Sequence, residues 1–276
     1  MRSILGRVLP LVLAASIAGL AAVSAANAAG DSPVPPRQKW SFSGPLGTFD
    51  RGQLQRGFKV YKEVCAVCHG LDLLSFRNLT GLGYSEAQVK AIASEYKIKD
   101  GPNDAGEMFE RDGRPADRFP RPWANENAAR AQYGAVPPDL SVMAKARTYE
   151  RGFPWFIFDI FTQFQEQGVD YVTALMMGYE KPPAGFKVEG SLQYNKYFPG
   201  HLLAMPPPLD KDRVTYEDGS PQTLEQYAKD VSAFLMWAAE PHMEARKRMG
   251  LQVMIFLLIF AGLMYFTKKK VWAAAH

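Results

Sequence analysis

Apolar residues gather in two uninterrupted runs near the ends of the chain and recur at helical spacing between them. Residues 8–23 are almost entirely apolar, and residues 249–267 form a 19-residue run without a charge. Between the runs, Asp50 and Gln53 have the spacing of a capping box that opens a helix over residues 51–64. Phe58 and Tyr61, three positions apart, give that helix an apolar stripe. Thr223 and Gln226 repeat the box, and Leu224, Tyr227, Val231, Phe234, Leu235 and Ala238 succeed it on one helical face. Glu240-Pro241 interrupts this second helix shortly before the C-terminal run, tying the domain closely to that run. The pattern predicts a mostly α fold in which the last helix of the domain crosses the first.

The flanks of the two end runs separate their roles. Arg2 and Arg7 precede the first, and Ala26-Asn27-Ala28 closes it with the small-x-small pattern that a signal peptidase accepts. Residues 1–28 read as a secretory signal, and Pro33, Pro35 and Pro36 stiffen the segment beyond it. The second run reaches roughly 28 Å as a helix, close to the hydrocarbon thickness of a bilayer. Arg246-Lys247-Arg248 and Lys268-Lys269-Lys270 flank it at head-group depth. Equal basic flanks do not orient a single helix, whereas an exported N-terminus does. The predicted organisation is a signal peptide at 1–28 and a periplasmic domain at 29–245, opening with an extended arm at 29–48. A transmembrane anchor at 246–267 and a cytoplasmic tail at 268–276 complete it.

Composition narrows the function. The 276 residues are 47% hydrophobic and 22% charged, which excludes a disordered chain and a polytopic membrane protein. The formal charge of +4 belongs to the ends, because residues 29–245 hold 24 basic against 28 acidic groups. An acidic body lacks the electrostatic footprint of a nucleic-acid partner.

Both cysteines of the chain fall in Cys65-Ala66-Val67-Cys68-His69. Zinc would need two more ligands, and the sequence offers neither a second cysteine pair nor a paired histidine motif. A thioredoxin-like redox pair would call for a βαβ context. Cys-x-x-Cys-His matches c-type haem attachment in full, with two thiols as thioether sites and the adjacent imidazole as a proximal ligand. The second axial ligand decides whether iron carries electrons behind a closed site or meets a substrate at an open one. Met205 stands out among the 11 methionines, because Pro206, Pro207 and Pro208 hold it in a stiff, non-helical segment. His201, four residues earlier, is the rival ligand.

A gap of 136 residues separates His69 from Met205, too long for a minimal cytochrome c. With the C-terminal anchor, this arrangement resembles cytochrome c1, the membrane-anchored cytochrome of the cytochrome bc1 complex. The resemblance runs along most of the mature chain. It is carried by Arg56-Gly57-Phe58-Lys59-Val60-Tyr61 ahead of the haem motif, by Asp100-Gly101-Pro102-Asn103, and by Ala128-Ala129-Arg130 before Pro137-Pro138-Asp139-Leu140-Ser141. Tyr197-Phe198-Pro199-Gly200 and Trp237-Ala238-Ala239-Glu240-Pro241 extend it. Some bacterial members carry an additional disulfide, which two motif cysteines cannot supply.

The resemblance implies one covalent haem c on Cys65 and Cys68, with His69 and Met205 as axial ligands. It further implies Arg130 on a haem propionate and Pro137 and Pro138 as pocket walls. The expected fold is a mostly α, cytochrome c-like monohaem domain with a long insertion and one C-terminal transmembrane helix, held in a bacterial inner membrane. The expected partners are cytochrome b, a Rieske iron–sulfur protein as electron donor, cytochrome c as acceptor, and the lipid bilayer. A stand-alone anchored cytochrome and a haem peroxidase are the alternatives. Two features of the insert stay open: seven acids against four bases over residues 95–117, an acceptor-docking face or an ordinary solvated one, and six aromatics over residues 153–164.

Overall fold

The computed structural model describes residues 32–149, 154–155, 157–158 and 167–273. The signal at 1–28 therefore lies outside the described residues. Helix α1 spans Arg51–Glu63, and Asp50 caps it by accepting from the Gln53 N–H at 3.1 Å. The predicted box is only half made. The Gln53 side chain turns away from Asp50 and donates to Asp230 at 3.2 Å. A short 3-10 turn, Cys65–Val67, comes directly after the helix. A second 3-10 stretch, Phe76–Leu82, leads into α2, Glu86–Ser94, whose Ser85–Gln88 capping box is complete.

The insert contributes an antiparallel hairpin, β1 Lys97–Asp100 with β2 Phe109–Asp112, then α3, Glu126–Tyr133, and a single turn α4, Met143–Ala146. Helix α5, Gln167–Met177, and a two-residue ribbon of β3, Gln193–Tyr194, with β4, Leu202–Leu203, complete it. Helix α6, Leu224–Ala239, ends at Glu240 as Pro241 demands, and α7 runs unbroken over Met243–Ala273. The fold is mostly α, with strands confined to the two small ribbons among the described residues.

The crossing of α1 and α6 organises the core. Gly57 makes it possible: a Cβ there would lie 2.0 Å from the Asp230 carbonyl oxygen. Phe234 of α6 meets Phe58 and Tyr61 of α1 at 5.6 and 5.7 Å, and Phe119 from the insert closes the cluster against Phe76 at 4.3 Å. Beside the crossing, buried Asp230 accepts from Arg56 at 2.9 Å and from Gln226 at 2.9 Å. The N-terminal arm is irregular but packed. Trp40 and Phe42 are buried and stacked at 5.3 Å, and the Trp40 indole donates to Asp170 at 2.8 Å.

Helix α7 is long and apolar enough to cross a membrane, and beyond Met243 its described residues are exposed apart from a few intermediate positions. It starts six residues ahead of the apolar run because its first turns are stitched to the domain. Glu244 accepts from the Phe49 N–H at 2.8 Å, and Lys247 donates to the Phe42 carbonyl at 2.6 Å. Glu240 pairs with Lys145 of α4 at 2.6 Å and with Arg246 of α7.

Candidate functional site

The Cys-x-x-Cys-His sequence forms a tight turn at the C-terminal end of α1. The N–H groups of Cys68 and His69 both donate to the Cys65 carbonyl, at 3.1 and 2.9 Å. This folds the three chemically distinctive side chains into one turn, with both thiols free rather than joined. Burial, with Cys68 adding, pushes the Cys65 thiol up to about 12, so Cys65 is unsuited to act as a redox thiolate. Burial also lowers His69, partly offset by the Pro138 carbonyl and Asp139, which favours the neutral imidazole.

Four bonds strap residues 137–141 along residues 69–73. The His69 Nδ1 donates to the Pro138 carbonyl at 2.7 Å, and the Leu140 N–H donates to the Gly70 carbonyl at 2.9 Å. The Asp72 N–H donates to Asp139 at 2.7 Å, and the Leu73 N–H donates to Ser141 Oγ at 3.0 Å. With Nδ1 occupied by a carbonyl, Nε2 keeps its lone pair for a metal ion.

Three aromatic side chains cap three successive carbonyls of the turn. Tyr133 donates to Val67 at 3.0 Å, the Trp123 indole to Cys68 at 3.2 Å, and Tyr61 to His69 at 3.1 Å. Trp123 is held in turn by Arg121, whose guanidinium lies 5.1 Å from its ring and pairs with Asp72. The turn is thus fixed by α1 from within and by residues 121–133 from outside.

A family model described as "Cytochrome C1 family" matches residues 40–275. The chain belongs to the cytochrome c1 family. It is 64% identical over 270 residues to "Cytochrome b/c1" of Bradyrhizobium diazoefficiens, covering 96% of this chain but 39% of that relative's length. It is 51% identical to "Cytochrome c1" of Blastochloris viridis, covering 94% and 93% of the two chains. Against "Cytochrome c1" of Rhodospirillum rubrum the identity is 40%, with 95% of each chain covered. The cofactor of this cytochrome c1 chain is a c-type haem, and members of the family are the haem-carrying subunits of bc1 complexes.

The residues present fit that cofactor: adjacent unbridged thiols, and an imidazole whose tautomer is set by a carbonyl so that Nε2 is left as donor. Met205 lies half-buried on the segment after β4, and its carbonyl accepts from Tyr179 at 3.0 Å. His201 has its ring stacked on Tyr194 at 5.4 Å and its Nδ1 3.2 Å from the Asn195 carbonyl oxygen. Arg130, on α3, is 63% exposed and faces Glu126 at 3.6 Å. Pro137 is half-buried, whereas Pro138 is exposed and contributes its backbone oxygen to His69. Sequence reasoning missed Trp123, Tyr133, Tyr179 and Asp139. The Asp139–Ser141 spacing was the one available hint, since Asp139 accepts from the Ser141 N–H at 2.9 Å in a local turn.

Four of the seven acids over residues 95–117 are paired with cations, three of them with cations of the segment itself. Glu95 pairs with Lys62 at 2.5 Å, Asp112 with Lys97 at 2.5 Å, and Asp100 and Asp117 share Arg111. Arg111 holds Asp117 at about 2, below the usual carboxylate range.

Proposed function

We propose that this chain carries single electrons from a Rieske iron–sulfur protein to cytochrome c within a quinol–cytochrome c reductase, as a subunit without substrate chemistry of its own. The observation that carries this is the His69–Pro138 hydrogen bond inside a Cys-x-x-Cys-His turn, a donor arrangement suited to a haem iron. When bound, the haem supplies one-electron chemistry between the ferric and ferrous states. Cys65 and Cys68 fasten it through thioether bonds. His69 would hold the iron through Nε2, and Met205, on a segment stiffened by Pro206, Pro207 and Pro208, would supply a thioether sulfur as a second ligand. A sulfur ligand there closes the site, which favours electron transfer over peroxide chemistry.

Arg130 serves a propionate in this reading. Its exposed contact with Glu126 is worth little and can be exchanged at small cost. Pro137 and Pro138 wall the pocket, and Pro138 also orients His69. The 64% identity to a relative named cytochrome b/c1 supports cytochrome b as the neighbour in the membrane. The chain is anchored by residues 246–267, with residues 29–245 on the periplasmic side of a bacterial inner membrane after loss of residues 1–28.

The absorption spectrum of the oxidised protein tests the ligand set. The methionine–iron charge-transfer band should be present and should vanish in Met205→Leu. An unchanged band would remove Met205 as ligand, and an open-site spectrum in the parent would favour peroxidase chemistry. Purification in mild detergent should bring down a cytochrome b and an iron–sulfur protein. Recovery of the chain alone would favour a stand-alone anchored cytochrome.

A further inference from the structure

Three prolines after Met205 stiffen its segment but give it nothing to hold on with. Pro206, Pro207 and Pro208 lack backbone N–H groups, so this stretch cannot donate to the domain that carries it. A rigid segment presents a side chain at a fixed height only if something outside it supplies a tether. The C-terminal end of α5 supplies one. The Tyr179 hydroxyl, two residues beyond that helix, donates to the Met205 carbonyl at 3.0 Å. Burial pushes the phenol up, so the hydroxyl keeps its proton and remains a donor.

The chain leading to Met205 is tied to the same helix end. Asn195 is fully buried, and its Nδ2 donates to the Leu175 carbonyl in the last turn of α5 at 2.8 Å. Its Oδ1 accepts from the Tyr197 N–H at 3.0 Å, and its own N–H donates to the His201 carbonyl at 2.9 Å. The Lys196 N–H donates to the Gly178 carbonyl at 2.9 Å, and an antiparallel bridge sets Tyr179 opposite Asn195. Gly178 makes this approach possible, because a Cβ there would lie 2.7 Å from Asn195 Oδ1. Helix α5 is itself well held, with residues 169–174 buried and Asp170 accepting from the Trp40 indole at 2.8 Å.

We propose that Tyr179 is a positioning residue for Met205, holding its segment against the end of α5 so that the thioether sulfur stays on the haem iron. This role rests on Met205 as an iron ligand, as proposed above. The Tyr179 bond counts toward the hold of the sulfur only if displacing the sulfur also breaks that bond. A competing ligand measures this directly.

The test titrates imidazole into the oxidised, full-length, haem-loaded chain in detergent, read from the absorption spectrum. Tyr179→Phe keeps the ring and deletes the donor to Met205. It should bind imidazole about fivefold more tightly than the parent, the factor that one lost hydrogen bond allows. Ser85→Ala, which removes the cap of α2, is the comparison for lost stability alone and should bind imidazole as the parent does. Parent-like affinity in Tyr179→Phe overturns the positioning role. An equal rise in Ser85→Ala also overturns it, in favour of a general loss of stability. Met205→Leu should bind imidazole more tightly than either. A parent-like Met205→Leu would remove the ligand and the positioning role together, whereas a tight-binding Met205→Leu beside a parent-like Tyr179→Phe removes the positioning role alone.

Discussion

The imidazole of His69 donates through Nδ1 to the carbonyl oxygen of Pro138 at 2.7 Å, joining the motif turn to a segment 69 residues further along the chain. The neighbouring contacts of Asp139, Leu140 and Ser141 hold that backbone in register, so the imidazole orientation depends on residues that never touch it.

Asp139→Ala should therefore loosen the strap. It removes the acceptors of the Asp72 and Ser141 N–H groups and should cost about 2 kcal/mol, read from the urea midpoint. Asp139→Asn, which keeps one carbonyl acceptor, should lose less.

The aromatic caps make a graded prediction. Tyr133→Phe keeps the ring and deletes one donor to the turn, at a cost of about 1 kcal/mol in thermal unfolding, and Trp123→Phe, which also trades the indole stacked under Arg121 for a smaller ring, should cost more. Because the two capped carbonyls belong to adjacent residues, the double variant should depart from additivity. Simple summation would show that the caps act independently.

Gly57→Ala should be far more damaging than an ordinary glycine replacement in a helix. The added methyl would meet the Asp230 carbonyl at 2.0 Å, and neither helix can yield without opening the Phe58–Phe234 contact. A loss of about 3 kcal/mol or failure to accumulate is expected, measured by calorimetry and by yield. Tolerance of alanine would mean that the helices are not in backbone contact.

Glu240 gives the junction of α4, α6 and α7 a pH dependence. Burial raises its affinity for a proton, but the hydrogen bonds of Arg246 and Lys145 outweigh this and hold it below its ordinary value. A carboxyl depressed by folding contributes stability that is complete above its unfolded pKa and fades as pH falls through the folded one. Hydrogen exchange at residues 143–146 should quicken as pH drops from about 6 to about 3, after correction for intrinsic rates. Glu240→Gln should flatten that dependence.

Arg111 offers a matching test in the insert. It keeps Asp117 at about 2, and Arg111→Gln should return the carboxyl toward the usual range near 4, tracked by carboxyl-carbon NMR titration. An unmoved Asp117 would assign its low value to the Arg114 N–H bond instead.

Local signals sufficed wherever the determining interactions lie within a few residues. The caps at Asp50 and Thr223, the stripe of Phe58 and Tyr61, the stop at Glu240-Pro241 and the 19-residue apolar run were all legible in order and spacing. The motif cysteines and His69 were legible because the turn that gathers them spans five residues. The capping boxes failed in their second half for a reason absent from local sequence: Asp230 sits at the helix crossing and draws both Gln53 and Gln226 away from their caps. Trp123, Tyr133 and Asp139 were invisible for the same reason, since they engage backbone groups 55, 66 and 67 residues away. Charge counting over residues 95–117 likewise missed that Arg111 and Lys97 neutralise the acids beside them once the hairpin forms. The sequence by itself determined the main helices, the long apolar run and the gathering of Cys65, Cys68 and His69 in one turn, because those depend on periodicity and on residue types held close in the chain. Only the tertiary structure decided which carbonyl orients His69 and which side chains cap the turn, because hydrogen-bond partners are chosen by proximity in space.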